Sequence, residues 1–310
     1  MWSSNTNMNG GIKDSDKLLK LKYPTLSIQS LSNYLLALHT KLRDQSTNTQ
    51  EFVKYSNKLV HSLLEYTLSI LPADYYDIKT IQTPCNVPFQ GCSLISSISY
   101  NNNNTDNTMN SQLNLCGISI VRAGESMEFG LRSLIPDIPI GKILIQRDEF
   151  TQNKQAKLFY TKLPMNITQA KQIFLMDPML ATGGSCILAI KTLIKLGVTI
   201  QQVTFINLIA CPEGLQRVYA KYPQLKIVTS FVDQGLNEHC YILPGIGDYG
   251  DRYFDLARKL DIPIGVDDLS RSHRVGALIS ARQEQKNKSQ SEKIKHRALL
   301  VRFMRNNQLN

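Results

Sequence analysis

The sequence predicts an α/β protein: a parallel sheet covered by helices on both faces, with a β-arm and N-terminal helices. Two observations predict it. Between Leu115 and Val232, apolar runs of strand length alternate with segments of helical periodicity. The connecting helices are long enough to carry the chain across to a parallel neighbour. In open sheets of this kind ligands sit at the carboxyl ends of the strands, so residues just after each strand are the first site candidates.

Taken in order, residues 1–24 are polar and lack periodicity, and read as a disordered leader. The folded domain is expected over 25–254. From Ser27 to Arg43, Ile28, Leu31, Leu35, Leu38 and Leu42 recur at helical spacing. A second helix fits Glu51 to Leu71, with Phe52, Tyr55, Leu59, Leu63 and Leu64 on one side and Pro72 as its stop. Thr80 to Leu94, broken by Pro84 and Pro88, reads as a short hairpin. An Asn-rich surface loop covers 100–112, too polar to bury a core. Leu115 to Val121, Gly141 to Gln146, Gln172 to Met176, Val203 to Ile209 and Lys226 to Val232 are strands. Gly124 to Leu134, Gly184 to Leu196 and Pro212 to Tyr222 are helices, and Lys157 to Leu163 forms the arm against the second strand.

Composition narrows the function. Of 310 residues 42% are hydrophobic, enough for a sizeable core. No apolar run approaches the ~18 residues of a membrane span, and the polar start, Met-Trp-Ser-Ser-Asn, is no signal peptide. A cytoplasmic protein is the simplest reading, with the nucleus also open to it. None of the six cysteines forms a C-x-x-C pair, which argues against structural zinc. The net charge is +10, and Leu256 to Asn310 supplies +7 of it, from twelve Lys or Arg against five Asp or Glu. A protein that coats nucleic acid spreads its charge more widely. Residues 255–310 are therefore read as a basic extension, with a short helix over Asp255 to Leu260 and a basic amphipathic helix over Lys293 to Arg305.

Two segments carry the chemistry. The first runs Asp177-Pro178-Met179-Leu180-Ala181-Thr182-Gly183-Gly184-Ser185, from a buried strand into a helix. A helix N-terminus offers free backbone N–H groups and a favourable dipole to an anion. Gly183 and Gly184 permit close backbone approach, and Thr182 and Ser185 add hydroxyls. Asp177, at the strand end, could hold ribose hydroxyls. The segment lacks G-x-x-x-x-G-K-[ST] and G-x-G-x-x-G, which argues against a P-loop NTPase and a dinucleotide binder. The second segment, Tyr241-Ile-Leu-Pro-Gly-Ile-Gly-Asp-Tyr-Gly-Asp-Arg-Tyr-Phe254, packs three glycines and a proline into a special backbone path. A rigid main chain of this sort can match the acceptor–donor–acceptor edge of a pyrimidine dione and leave cytosine with unpaired groups. Arg122, after Leu115–Val121, and Arg147, after Gly141–Gln146, fall at strand carboxyl ends facing the same crevice, where they could stabilise charge on a leaving diphosphate.

The string D-P-M-L-A-T-G-G-S at 177–185 resembles the phosphoribosyl pyrophosphate loop of the uracil phosphoribosyltransferases, in which a lone Asp replaces the acidic pair of the purine enzymes. The 241–254 segment resembles that family's uracil loop, Y-I-x-P-G-x-G-D-x-G-D-R, and N-L-I-A-C-P-E-G at 207–214 and D-Q-G-L-N-E at 233–238 extend the likeness. The resemblance implies a type I phosphoribosyltransferase fold and formation of UMP and diphosphate from uracil and phosphoribosyl pyrophosphate. It implies that Ile242, Gly247 and Tyr249 contact uracil through their backbones, that Asp248 lies between base and sugar, and that residues 177–185 with Arg122 and Arg147 hold phosphoribosyl pyrophosphate. Asp248 is also the nearest candidate for a general base. Mg²⁺ would be held mainly by the substrate, without a site built from side chains alone. A homodimer or homotetramer is implied too. GTP activates some relatives, but Thr49 stands where a basic residue is expected and Lys58 where an arginine is. The alternative reading is a catalytically silent relative, sensing UMP or binding RNA through 256–310.

Overall fold

The computed structural model describes residues 14–100, 111–147 and 156–256. Its centre is an eight-stranded sheet. Strand β1 (Leu26–Ile28) lies at one edge, and β6 (Leu115–Val121), β7 (Ile140–Arg147), β8 (Ala156–Lys162), β9 (Gln172–Met176), β10 (Met179–Leu180), β11 (Val203–Ala210) and β12 (Lys226–Val232) complete it. The order is β1-β12-β11-β9-β6-β7-β8, with β10 added beside β11. Every pairing is parallel except β7 with β8, the arm. The carboxyl ends of β6, β7, β9, β11 and β12 therefore share one edge of the molecule.

Strands β6, β9 and β11 are apolar almost throughout because both faces are covered. Side chains alternate between faces with the strand period. Ile173 and Leu175 join Cys116 and Ile118 under helices α5 (Gly184–Lys195) and α6 (Pro212–Lys221). Phe174 and Met176 join Leu115 on the opposite face, under α2 (Asn33–Arg43), α3 (Thr49–Ser69) and α4 (Glu128–Leu134). Ser32 and Asn48 start α2 and α3 by accepting the N–H groups of Leu35 and Glu51. Pro212 opens α6, where no N–H is needed.

Several expectations change. Residues 14–22, placed in the leader, form helix α1. Ile28, read as the first apolar position of a helix, belongs instead to β1; its pairing with Thr229 of β12 outweighs the local helical spacing. The segment 124–134 divides into a 3₁₀ turn over Ala123–Met127 and the shorter α4. The hairpin starts earlier than expected, as β2 (Tyr76–Gln82) against β3 (Pro88–Leu94). Strands β4 (Ile98–Tyr100) and β5 (Ser111–Leu113) pair at the two ends of the Asn-rich stretch. The run Asn101 to Asn104 lies outside the described residues, as do the expected helix over 293–305 and the proposed RNA contact in the extension. Of the short helix expected over 255–260, Asp255 is left-handed, with φ 53°, and caps the preceding helix, and 257–260 lie outside the described residues. Among the described residues no helix is long and apolar enough to cross a membrane.

Candidate active site

The strand ends place three loops side by side. After β9, Asp177 donates its N–H to Ile206 O at 3.2 Å, and Pro178 O accepts from Leu208 N at 2.9 Å. Met179 and Leu180 then pair with Ile209 and Ala210 as β10. The first half of the 177–185 segment is thus a short strand, not a free loop. Only Ala181 to Gly183 turn before α5 begins. Gly183 adopts φ 74°, which admits few side chains, and a Cβ there would come 2.9 Å from Val218. Asp177 is half-buried, and its Oδ1 lies 3.4 Å from Met179 N. Arg217 donates to Thr182 O at 3.2 Å, pinning the turn to α6.

After β6 the chain makes a cis Val121–Arg122 bond and enters the 3₁₀ turn. Gly124 lies so close to β9 that a Cβ would be 2.4 Å from Met176 O, the residue before Asp177. Lys142 of β7 steadies this turn by pairing with Glu125 and, at 3.3 Å, Glu128. Hydrogen bonding to Glu125 raises the Lys142 pKa above that of an ordinary ammonium. Arg122 points away from the sheet: its Nη2 lies 2.8 Å from Asp251 Oδ1 and 4.0 Å from Asp248 Oδ1.

That contact leads to the glycine-rich hook. Strand β13 (Gly235–Leu236) pairs with β14 (Ile242–Leu243), and a cis Leu243–Pro244 bond follows. Gly245 and Gly247 have φ 61° and 75°, and a Cβ on Gly245 would lie 2.1 Å from Ile242 O. No side chain fits at Gly245. The segment ends in a helix, α7 (Tyr249–Phe254), which sequence reading treated as loop. Asp248 is exposed and caps it, accepting the Asp251 N–H at 2.9 Å. Ile242, Ile246 and Tyr249 are buried, at 6%, 3% and 2% exposure, while Leu243, Pro244, Gly247 and Asp248 are exposed. Tyr249 donates its hydroxyl to Ser126 at 3.1 Å and meets Phe52 edge-on. Burial pushes its phenol pKa upward.

The 177–185 and 241–254 segments lie side by side. They meet at one side through the 122–124 turn, which touches Met176 and Asp251. They meet at the other through the start of α6: Gly214 abuts Ala181 O, and Glu213 accepts the Leu236 N–H at 3.2 Å. Arg147 is the last residue of β7, at the same sheet edge. Asp251 has no role in the sequence reading; its reach to Arg122 spans 129 residues of sequence and leaves no local signal. Among the described residues, no group of three or more His, Cys, Asp or Glu side chains is placed to hold a metal.

Comparison with known proteins agrees with this arrangement. A family model described as "Uracil phosphoribosyltransferase" matches residues 30–255. A Lachancea kluyveri protein of that name is 45% identical over 223 residues, covering 72% of this chain and 93% of its own. One from Dictyostelium discoideum is 43% identical over 235 residues, covering 76% and 98%. Among solved structures, the AQ2163 protein from Aquifex aeolicus superposes with a TM-score of 0.61 at 25% identity, over 75% of this chain and 99% of its own. Motif order, sheet topology and similarity along the whole domain agree, and the chain belongs to the uracil phosphoribosyltransferase family.

Proposed function

We propose that this chain joins uracil to the ribose of phosphoribosyl pyrophosphate, giving UMP and diphosphate. The observation that carries the reading is that 177–185 and 242–249 lie side by side, bridged by the 122–124 turn and the start of α6, as an anion cradle and a backbone hook would. The cradle takes the 5′-phosphate: Thr182 to Ser185 present N–H and hydroxyl donors at the start of α5, a helix of 12 residues. Asp177 takes the ribose hydroxyls. Arg122 and Arg147 hold the diphosphate and stabilise its charge as the C1′–O bond breaks. The backbones of Ile242, Gly247 and Tyr249 bind uracil, and Asp248 sits between base and sugar.

The reaction is a displacement. N1 of uracil forms a bond to C1′ while diphosphate leaves, through an oxocarbenium-like ribose. The N1 proton passes to Asp248 or to water. Most of the acceleration comes from positioning and from fixed donors. Asp177, Thr182 and Ser185 provide hard oxygen atoms, which suit Mg²⁺ bound chiefly through substrate oxygens. The ion would neutralise diphosphate charge. GTP activation finds no support here: Thr49 is engaged with Asp255, its Oγ1 donating at 3.0 Å. The exposed Ile78 and Phe89 of the β2–β3 hairpin offer apolar surface that a second copy could cover, in keeping with a homodimer or homotetramer. The cysteines Cys85, Cys92, Cys116, Cys186, Cys211 and Cys240 are free thiols, which suits the cytoplasm.

The test is direct. The protein is incubated with labelled uracil, phosphoribosyl pyrophosphate and Mg²⁺, with cytosine and hypoxanthine as control bases. UMP forms from uracil alone. Equal use of hypoxanthine, or no nucleotide at all from folded protein, would overturn the proposal.

A further inference from the structure

The hook is held from behind by an ion pair that lies outside both the 177–185 and the 241–254 segments. Arg43 closes α2, and Asp233 follows β12 with its side chain wholly buried. Asp233 Oδ1 accepts from Arg43 Nη2 at 2.8 Å. Its Oδ2 accepts from Arg43 Nη1 at 2.9 Å and from Gly245 N at 3.0 Å. Arg43 Nη1 also donates to Gly245 O at 3.0 Å. Both backbone groups of Gly245 are thus taken by one bidentate pair, whose guanidinium lies 4.8 Å over the Phe231 ring. A second arginine works in the reverse direction. Arg252 of α7 donates to Leu42 O at 2.6 Å, to Ile246 O at 2.8 Å and to Asp44 O at 2.9 Å. Its guanidinium lies 4.2 Å over Phe52. The corner between α2 and α3 and the hook are bolted to each other from both sides.

Gly245 is where this grip matters. It lies between Ile242 and Gly247, in a left-handed conformation too crowded for any side chain. A site that reads a base with main-chain groups has no side-chain rotamers with which to correct a misplaced donor. Its fidelity depends on whatever fixes the backbone. Apolar residues of similar volume can replace a buried ion pair with little loss of stability, so stability alone does not require this one. The planar guanidinium, with parallel donors for a carboxylate and a further reach to a carbonyl, fixes geometry that apolar packing would not.

We propose that Arg43 and Asp233 are positioning residues for base recognition: by clamping both peptide groups of Gly245 they set uracil affinity and the choice of uracil over cytosine. This rests on the reading of 241–254 as the base hook. The test measures steady-state kinetics for both substrates, together with thermal unfolding, in the full chain. The double variant Arg43→Met, Asp233→Leu removes both charges and leaves neither unpaired. It is expected to fold, with KM for uracil raised at least about tenfold, KM for phosphoribosyl pyrophosphate within about twofold, and a lower uracil-to-cytosine ratio. Arg43→Lys keeps the charge beside Asp233 but not the bidentate fork, so the same shift appears in smaller degree. Should the double variant fail to fold, Arg43→Lys decides. A purely structural role lowers the active fraction and leaves the uracil KM and the base ratio in place; that result in a folded variant overturns the proposal. The unaltered chain separates the two readings. If it makes no UMP, the base-hook reading fails; if it makes UMP and the variants keep its uracil KM, only the clamp fails.

Discussion

Gly214 offers a sharp test of how the proposed phosphate cradle is built. It is the third residue of α6, and a Cβ there would lie 2.3 Å from Ala181 O, 2.8 Å from Leu180 O and 3.2 Å from Ala181 C. The obstacle is backbone that cannot step aside easily. Leu180 O already accepts from Cys211 N at 3.2 Å, and Leu180 pairs with Ala210. In Gly214→Ala, the cradle and α6 must separate by about 1 Å to reach ordinary contact. Overpacking of this kind costs about 1–3 kcal/mol. The better helix propensity of alanine returns about 1 kcal/mol. The net loss of about 0–2 kcal/mol lowers Tm by no more than about 8 °C for a domain of this size. Catalysis is hit harder, because a displacement of about 1 Å in a positioning element costs on the order of 10²-fold. Scanning calorimetry should therefore find a folded protein, while kcat/KM for phosphoribosyl pyrophosphate falls about 10²-fold and KM for uracil changes little. A folded variant with undiminished kcat/KM for phosphoribosyl pyrophosphate would show that the cradle does not depend on this contact.

Other outcomes follow from the same geometry. Asp248→Asn keeps a side-chain oxygen for the α7 cap, so Tm should hold while kcat drops about 10²-fold or more if the carboxylate takes the N1 proton; near-normal turnover removes Asp248 from that role. Arg122→Ala should lower kcat/KM for phosphoribosyl pyrophosphate by about 10²–10³-fold, as loss of one transition-state donor does, and unchanged kinetics would exclude it from diphosphate binding. The pH dependence of stability has a definite sign. Burial pushes the Cys116 thiol up to about 12, from the 9.0 of a solvated thiol. Between those values the unfolded chain gives up a proton that the folded chain keeps, so stability is complete below pH 9 and declines as the pH rises toward 12. The slope is about 1.4 kcal/mol per pH unit for that one thiol. Chemical denaturation at pH 8, 9 and 10 reads it in the unaltered chain and in Cys116→Ala, and equal slopes would mean that Cys116 ionises freely in the fold.

The sheet was legible because its strands are buried on both faces. Leu115–Val121 and Gln172–Met176 are mostly apolar, and their ends, like those of Lys226–Val232, match the structure. The strand-to-helix step at 176–184 was legible for the same reason. Strand β1 was not: three residues, two of them apolar, continue smoothly into a helical pattern, and their partner lies some 200 positions away. Helix α1 was missed because its polar, lysine-rich sequence shows little periodicity. At the site, the motif residues were visible as letters, but the contacts that set their geometry were not. Arg43 to Asp233 spans 190 residues and Arg252 to Leu42 spans 210, distances over which no spacing rule acts.

The hook shows why reading side chains off a motif can mislead. Ile242, Ile246 and Tyr249 look like candidates for contact with a planar ring, yet the structure buries all three in the core beside Phe52 and Phe174. They hold the chain down, while Leu243, Pro244, Gly247 and Asp248 stay exposed. Hydrophobic burial does this without direction, and fixes depth better than rotation. Rotation is set by the directional contacts: the glycines that exclude Cβ, and the Arg43–Asp233 fork that takes both groups of Gly245. A base read by main chain thus requires polar anchoring beneath apolar anchoring, and the charged pair, Asp233 wholly buried and Arg43 partly so, supplies the directional constraint that the surrounding leucines and isoleucines cannot.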